Sequence, residues 1–157
     1  YGSEVAVLHF APADLFELLM QYKSPFDAIN DKSSVYYTLE QAYKADMEKA
    51  ANAQILHDCD TAKVILLEDA AWARRVSGVL GNDLANQSPS KAHAVFTFNN
   101  KGSYLVSVRA PLNNKQGAVD ICSKFATGGG RAAAAGINEL PKSQVESFVE
   151  ELVCYYK

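Results

Sequence analysis

The sequence predicts an α/β fold: a small mixed β-sheet with flanking helices, preceded by a long connector helix. Three observations carry this. The short continuous apolar run at 64–67, in VILLED, has the character of a strand buried on both faces, as in a parallel sheet. AHAVFTF (92–98) and SYLVSVR (103–109) alternate at period two about Asn99, Asn100, Lys101 and Gly102, which is a hairpin pattern. Between and around these strands run segments with apolar residues every three to four positions.

Taken in order, APADLFELLMQY (11–22) places Leu15, Leu18, Leu19 and Tyr22 on one helical face, with Asp14 and Glu17 near its positive end. KSPFDAINDKSS (23–34) has loop composition. From Ser34 to about His57 the pattern is helical, with Tyr36, Leu39, Tyr43, Ala50 and Gln54 near one face and no Gly or Pro inside. A helix of ~24 residues would be ~36 Å long and could join two bodies. HDCDTAK marks a boundary before the buried strand. AAWARRVSGVLGNDLA follows as a helix with Trp72, Val76, Val79 and Leu80 as its stripe and Arg74 and Arg75 outside. After the hairpin, NNKQGAVDICSKFA reads as a turn entering a short helix, and ATGGGRAAAAG (126–136) as a glycine loop. Ser143 and Glu146 have capping-box spacing and open a last helix striped by Val145, Phe148, Val149, Leu152, Val153 and Tyr156.

Composition narrows the class. The 157 residues are 48% hydrophobic and 21% charged, which excludes a disordered tail, a collagen-like repeat and a disulfide-dense miniprotein. No apolar run approaches the ~20 residues of a membrane span, and no basic n-region precedes an apolar h-region. The net charge of −3 is uneven: residues 1–62 carry four Lys and ten acids, residues 63–157 eleven Lys/Arg and eight acids. The second part is thus mildly basic, enough to attract an anion locally but not to mark a nucleic-acid-binding domain by charge alone. The three cysteines, Cys59, Cys122 and Cys154, lack metal-ligand spacing and read as reduced thiols of a cytoplasmic protein. The chain begins with Tyr1, which suggests a processed chain or a piece of a longer one.

Two places could carry chemistry. Gly128, Gly129 and Gly130 are costly to order unless the backbone must bend sharply or meet a ligand closely. Their N–H groups could form an anion-binding nest, and Arg131 adds a permanently charged donor fork. The small residues at 132–136 let the backbone pack tightly behind. The bland alternative is a flexible turn beside a packing patch. Arg109, at the end of the second hairpin strand and just before Ala110 and Pro111, is the second candidate; its alternative is a solvent-facing side chain. If Arg109 and Arg131 converge, two guanidinium groups share one anion. His9, His57 and His93 show no HxxxH, HxE or paired-carboxylate pattern, and no Gly-x-Ser-x-Gly is present. His57, Asp58, Cys59 and Asp60 read as a polar loop, because contiguous residues rarely converge on one ion. No catalytic residue and no metal site is assigned.

Ser-Val-Arg at 107–109, a short helix and GGGRAAAAG at 128–136 together resemble the carboxy-terminal substrate-binding domain of the DHH phosphoesterases, which include RecJ-type exonucleases, nano-RNA and cyclic-dinucleotide phosphodiesterases and exopolyphosphatase-related proteins. The family pattern is Ser-x-Arg-Ser, then Gly-Gly-Gly-His with Ala-Ala-Gly after it. Here Arg131 stands in place of the His and Ala110 in place of the second Ser. The resemblance implies a substrate-binding domain over 61–157, a connector helix over 34–60 and, over 1–33, the tail of a preceding domain or an N-terminal helical segment. It implies an oligonucleotide, nucleotide or polyphosphate ligand held by Arg109, Gly128, Gly129, Gly130 and Arg131. It also implies manganese in a catalytic DHH domain elsewhere in the parent protein, since this sequence has no Asp-His-His. This chain alone would then not be catalytic. The long helix could support a homodimer. An Arg after three glycines also resembles the carboxy-terminal domain of alanyl-tRNA synthetases, which implies an RNA-binding appendage instead. The ending INELPKSQVESFVEELVCYYK looks more like a phosphoesterase tail.

Overall fold

The computed structural model describes residues 5–157. Helices α1 (Pro12–Met20), α2 (Pro25–Asn30) and α3 (Val35–Ala50) precede strands β1 (Gln54–Asp58) and β2 (Ala62–Leu66). Helix α4 (Ala71–Gln87) leads to β3 (Ala92–Phe98) and β4 (Tyr104–Arg109). Then follow α5 (Ala118–Cys122), β5 (Gly128–Arg131), β6 (Ala134–Leu140) and α6 (Val145–Tyr155). One mixed sheet runs β1-β2-β3-β4-β6-β5. Among the described residues only β2 and β3 pair in parallel, and α4 is the crossover that a parallel pair requires. The α/β class, the buried parallel strand and the 92–109 hairpin are all present, the last closed by Gly102 at φ 76°.

The two faces of the sheet are built differently. On one, Phe96, Val106, Val108 and Ile137 meet Ile121 of α5 and Phe148 and Leu152 of α6, all buried. Phe96 and Phe148 pack edge to face with ring centroids 5.4 Å apart, the preferred aromatic geometry. On the other face, Trp72, Val76 and Leu80 of α4 cover Ile65, Leu67 and Val95. Helix α3 forms an outer layer on α4. Arg75 donates to both carboxylate oxygens of Asp46, at 2.7 and 2.9 Å, and to the Val7 carbonyl at 2.8 Å. Arg75 is therefore a half-buried clamp between α3 and α4, closed on the buried Asp46, and not an outward residue. Such a fork-to-fork pair fixes geometry as well as adding energy.

Several local expectations change. The helix predicted from Ser34 to His57 ends at Ala50, and residues 54–58 are a strand. The chain turns at Ala51 and Asn52, and Ile55 pairs across from Ile65 at the open edge of β2. A ladder of backbone bonds with β2 outweighs one more helical turn there. The polar segment 57–60 lies at the end of β1 and in its turn to β2, closed by the Cys59 N–H on the Ala62 carbonyl at 2.9 Å. The loop 23–34 contains α2, opened by a reciprocal capping box between Ser24 and Asp27 with Pro25 in the first turn. At the last helix the Ser143–Glu146 box is not formed: Lys142–Gln144 make a 3-10 turn and α6 starts without a side-chain cap. Helix α1 forms, but it buries none of its residues. Among the described residues no helix is long and apolar enough to cross a membrane.

His93 is 1% exposed, and neither ring nitrogen has a hydrogen-bond partner. It lies in register between Lys63 and Arg109. Burial, and then the Lys63 charge, push its pKa down to about 4. The unfolded chain binds this proton near pH 6.5, so it takes up protons before the folded state does. The stabilisation is complete above about pH 6.5 and is lost as pH falls toward 4, by at most about 3 kcal/mol. Urea unfolding between pH 7 and pH 4 should show this loss, and His93→Leu should flatten it. An equal slope in the variant would assign the loss to other groups.

Candidate anion-binding site

Strand register places the two arginines together. Arg109 of β4 lies opposite Ala134 of β6, and Ala134 lies opposite Arg131 of β5. Ser107, Gly136 and Gly129 form the next row on the same side. Side chains two residues apart share a face, so both rows point to the α4 side of the sheet. With strands ~4.8 Å apart, the Cα atoms of Arg109 and Arg131 are ~10 Å apart. The floor between them has one methyl group and two glycines. Helix α4 packs on β3 and β4, and a Cβ built on Gly129 would meet nothing within 4 Å. The result is a shelf of bare backbone flanked by two guanidinium groups.

Arg109 is fixed on this shelf rather than facing solvent freely. Its Nε donates to Asn82 Oδ1 at 2.7 Å, Nη1 to Ser107 Oγ at 3.0 Å and to the Val108 carbonyl at 3.1 Å, and Nη2 to the Gly78 carbonyl at 3.3 Å. Every acceptor is uncharged. Burial, and then the charge of Arg131, lower its pKa. Arg74 and Arg75 ion-pair with Asp69 and Asp46. Among the described residues Arg109 and Arg131 have no such carboxylate, which leaves two positive charges for a ligand to neutralise. Asn82 and Ser107 were not singled out as site residues from the sequence. Ser107 stands two residues before Arg109, so strand alternation puts it on the same face. Gly78 and Asn82 are four residues apart on α4, which stacks them one turn apart.

The glycine segment is a strand and not a loop, so the expected nest of consecutive N–H groups gives way to an edge strand paired with β6. A Cβ on Gly128 would lie 1.7 Å from the Cys122 carbonyl oxygen, and Gly130 has φ 145° with Ala135 Cα 2.5 Å from its Cβ position. Packing against α5 and a positive φ therefore require these two glycines. Gly129 alone opens onto the shelf.

Arg109 and Asn82 also border two clefts. One, of about 410 Å³, runs along α4 toward Arg74 and Phe98. The other, of about 420 Å³, lies beyond the end of β4 and includes Asn86, Leu112 and Lys115. Elsewhere, Asp58 ion-pairs with Lys63 and Lys91. No group of three or more His, Cys, Asp or Glu among the described residues could hold a metal ion. The cysteines are free thiols: Cys59 is pulled down to about 7 by the Thr61 hydroxyl, burial pushes Cys122 up to about 12, and Cys154 is exposed.

No family model and no curated protein matches the sequence. Solved structures do match in fold. A pGpG-specific phosphodiesterase from Vibrio cholerae superposes with TM-score 0.63 at 11% identity, over 95% of this chain and 52% of that one. A DHH-domain protein described as belonging to a family of ribosomal proteins gives 0.53 at 12% identity, over 77% and 31%. An exopolyphosphatase-related protein from Bacteroides fragilis gives 0.51 at 14% identity, over 74% and 35%. The chain thus spans about half or a third of the length of these proteins. Its fold is that of the DHH-family structures, in line with the resemblance carried by Ser-Val-Arg and GGGRAAAAG.

The different settings of the glycines have a measurable consequence. Gly130→Ala should cost about 2 kcal/mol through backbone strain and crowding, lowering Tm by several degrees. Gly129→Ala should leave Tm within a degree or two. Thermal unfolding with the opposite ranking would contradict the assignment of Gly129 to the open face.

Proposed function

We propose that this chain is the substrate-recognition part of a DHH-type phosphoesterase and that it holds phosphate groups on the Arg109–Arg131 shelf. The observation that carries the reading is the row Arg109–Ala134–Arg131: two guanidinium groups without carboxylate partners, on either side of a floor that lacks bulky side chains. Arg109 is pre-oriented by Asn82 and Ser107, so little side-chain entropy remains to be lost when an anion binds. Arg131 is exposed and can close on the anion from the other side. Phosphate oxygens accept readily from such planar donors. The names of the neighbours in fold support the ligand class: one acts on a linear dinucleotide, and another is exopolyphosphatase-related.

The described residues do not fit a manganese site. Metal-activated water, which the family resemblance implies, would therefore come from a catalytic DHH part of the parent protein. The work of this chain is to hold and orient the substrate's phosphate. The unit that does so is proposed as residues 61–157, with 34–60 joining it to the catalytic part. The Asp46–Arg75 clamp supports movement of α3 together with the substrate-binding unit.

Titration of the chain with a labelled trinucleotide and with a folded tRNA, at two salt concentrations, tests the reading. Trinucleotide binding should weaken with salt. Arg131→Ala should cost ~1–3 kcal/mol and reduce the salt slope by about one. Unchanged trinucleotide affinity in the variant would remove Arg131 from the site. Binding to tRNA alone would instead support an RNA-binding appendage like that of the alanyl-tRNA synthetases. With added manganese, the isolated chain should hydrolyse neither ligand.

A further inference from the structure

We infer that a second copy of this chain covers the groove between α6 and β1, so that the protein is a twofold dimer joined on the side away from the phosphate shelf. Helix α6 has two apolar rows. Phe148 and Leu152 are buried against the sheet. Val145, Val149 and Val153, four residues apart and so in line along the helix, are only half-buried and border a groove of about 470 Å³. Leu56 and His57 of β1 form its other wall. A bulge between Ile55 and His57 adds Leu56 to that wall, and His57 pairs with Val64 of the core under α6. The flank of a solvated helix carries polar residues. Three valines in line, faced by a leucine, mark a surface that is covered.

The rim is self-complementary. Glu146 and Glu150 stand in the first half of α6, and Lys157 lies just beyond its end. All three are exposed, and none has an ion-pair partner among the described residues; Lys124 takes the neighbouring Glu151 instead. A patch with acids at one end, a base at the other and an apolar row between matches itself when turned about a twofold axis. The two α6 helices then run antiparallel. Val149 and Val153 meet their counterparts at the centre, and the glutamates of each copy lie against the partner's Lys157. Strand β1 is also an outer strand of the sheet, and neither Lys nor Pro guards its edge, which a second copy would shield. The catalytic part proposed above is a poorer occupant. The shelf lies on the α4 face toward the β5 edge, and the groove lies on the α6 face at the β1 edge. A body seated over the shelf would have to wrap the whole sheet to fill the groove, whereas a second copy leaves both shelves open.

Light scattering of the full chain at micromolar concentration should give twice the 17.1 kDa of one chain. Glu146→Lys combined with Glu150→Lys should raise the dimer Kd at least about tenfold, because each copy then presents like charges to the other. Adding Lys157→Glu to that variant should restore the dimer. These substitutions are at exposed positions, so the fold is kept. Cys154, exposed and one turn after Glu150 in the same groove, supplies a second readout. A short bis-maleimide should link two copies through thioethers at this residue, and Cys154→Ser should abolish the link. A monomer mass at every concentration would overturn the inference. So would a dimer that withstands the charge reversal and is not linked through Cys154, such as one held by the exposed Phe16, Met20 and Phe26 of α1 and α2.

Discussion

Arg109 sits half-buried with all its hydrogen bonds going to neutral acceptors. A guanidinium in that setting has lost part of its hydration and gained no counter-charge, which is what its lowered pKa records. Such a group stays in place only if its acceptors are held rigidly from both sides. Here Ser107 and Val108 hold it from the strand, and Gly78 and Asn82 from the helix. The position of α4 over the sheet is therefore a condition of the site. That position is set by Trp72, Val76 and Leu80 against Ile65, Leu67 and Val95, and by the Asp46–Arg75 fork that pins α3 behind it.

The sheet divides its labour by face. The side under α5 and α6 is closed core, filled by Phe96, Phe148, Ile137 and their neighbours. The opposite side is core beneath α4, and beyond it carries the open rows of β6 and β5. Because side chains alternate along each strand, a one-residue slip between β4 and β6 would send Arg109 and Arg131 to different faces. Register is thus as much a determinant of the site as residue identity. It is pinned by the buried residues of the closed face: Val106 opposite Ile137, and Val108 opposite Ala135.

Much of this was legible in the sequence, and the failures have physical reasons. The 92–109 hairpin and the stripes of α4 and α6 announce themselves through periodicity, and the buried strand through its continuous apolar run at 64–67, all local properties. The strand at 54–58 does not: Gln-Ile-Leu-His-Asp continues a helical stripe, and only the open edge of β2, a non-local partner, makes it a strand. The three glycines read as a loop because glycine is costly to order. Their ordering comes from pairing with β6 and from the approach of α5 at Gly128, neither visible in the sequence. Arg75 read as an outward residue because Asp46 lies 29 positions away. Of the site itself, Arg109 and Arg131 were named from the sequence, and the structure places them in one row. Asn82 was not, since nothing local marks a polar residue on a helix as facing a particular strand.

The central claim is that the shelf between Arg109 and Arg131 receives phosphate. Amide chemical-shift mapping of the isotope-labelled chain, titrated with inorganic pyrophosphate, tests it most directly. The account predicts that the largest shifts fall on Ser107, Arg109, Gly129, Arg131, Ala134 and Gly136, with little change across β1 and α6. Saturable shifts centred on another surface, with these six amides unmoved, would contradict it.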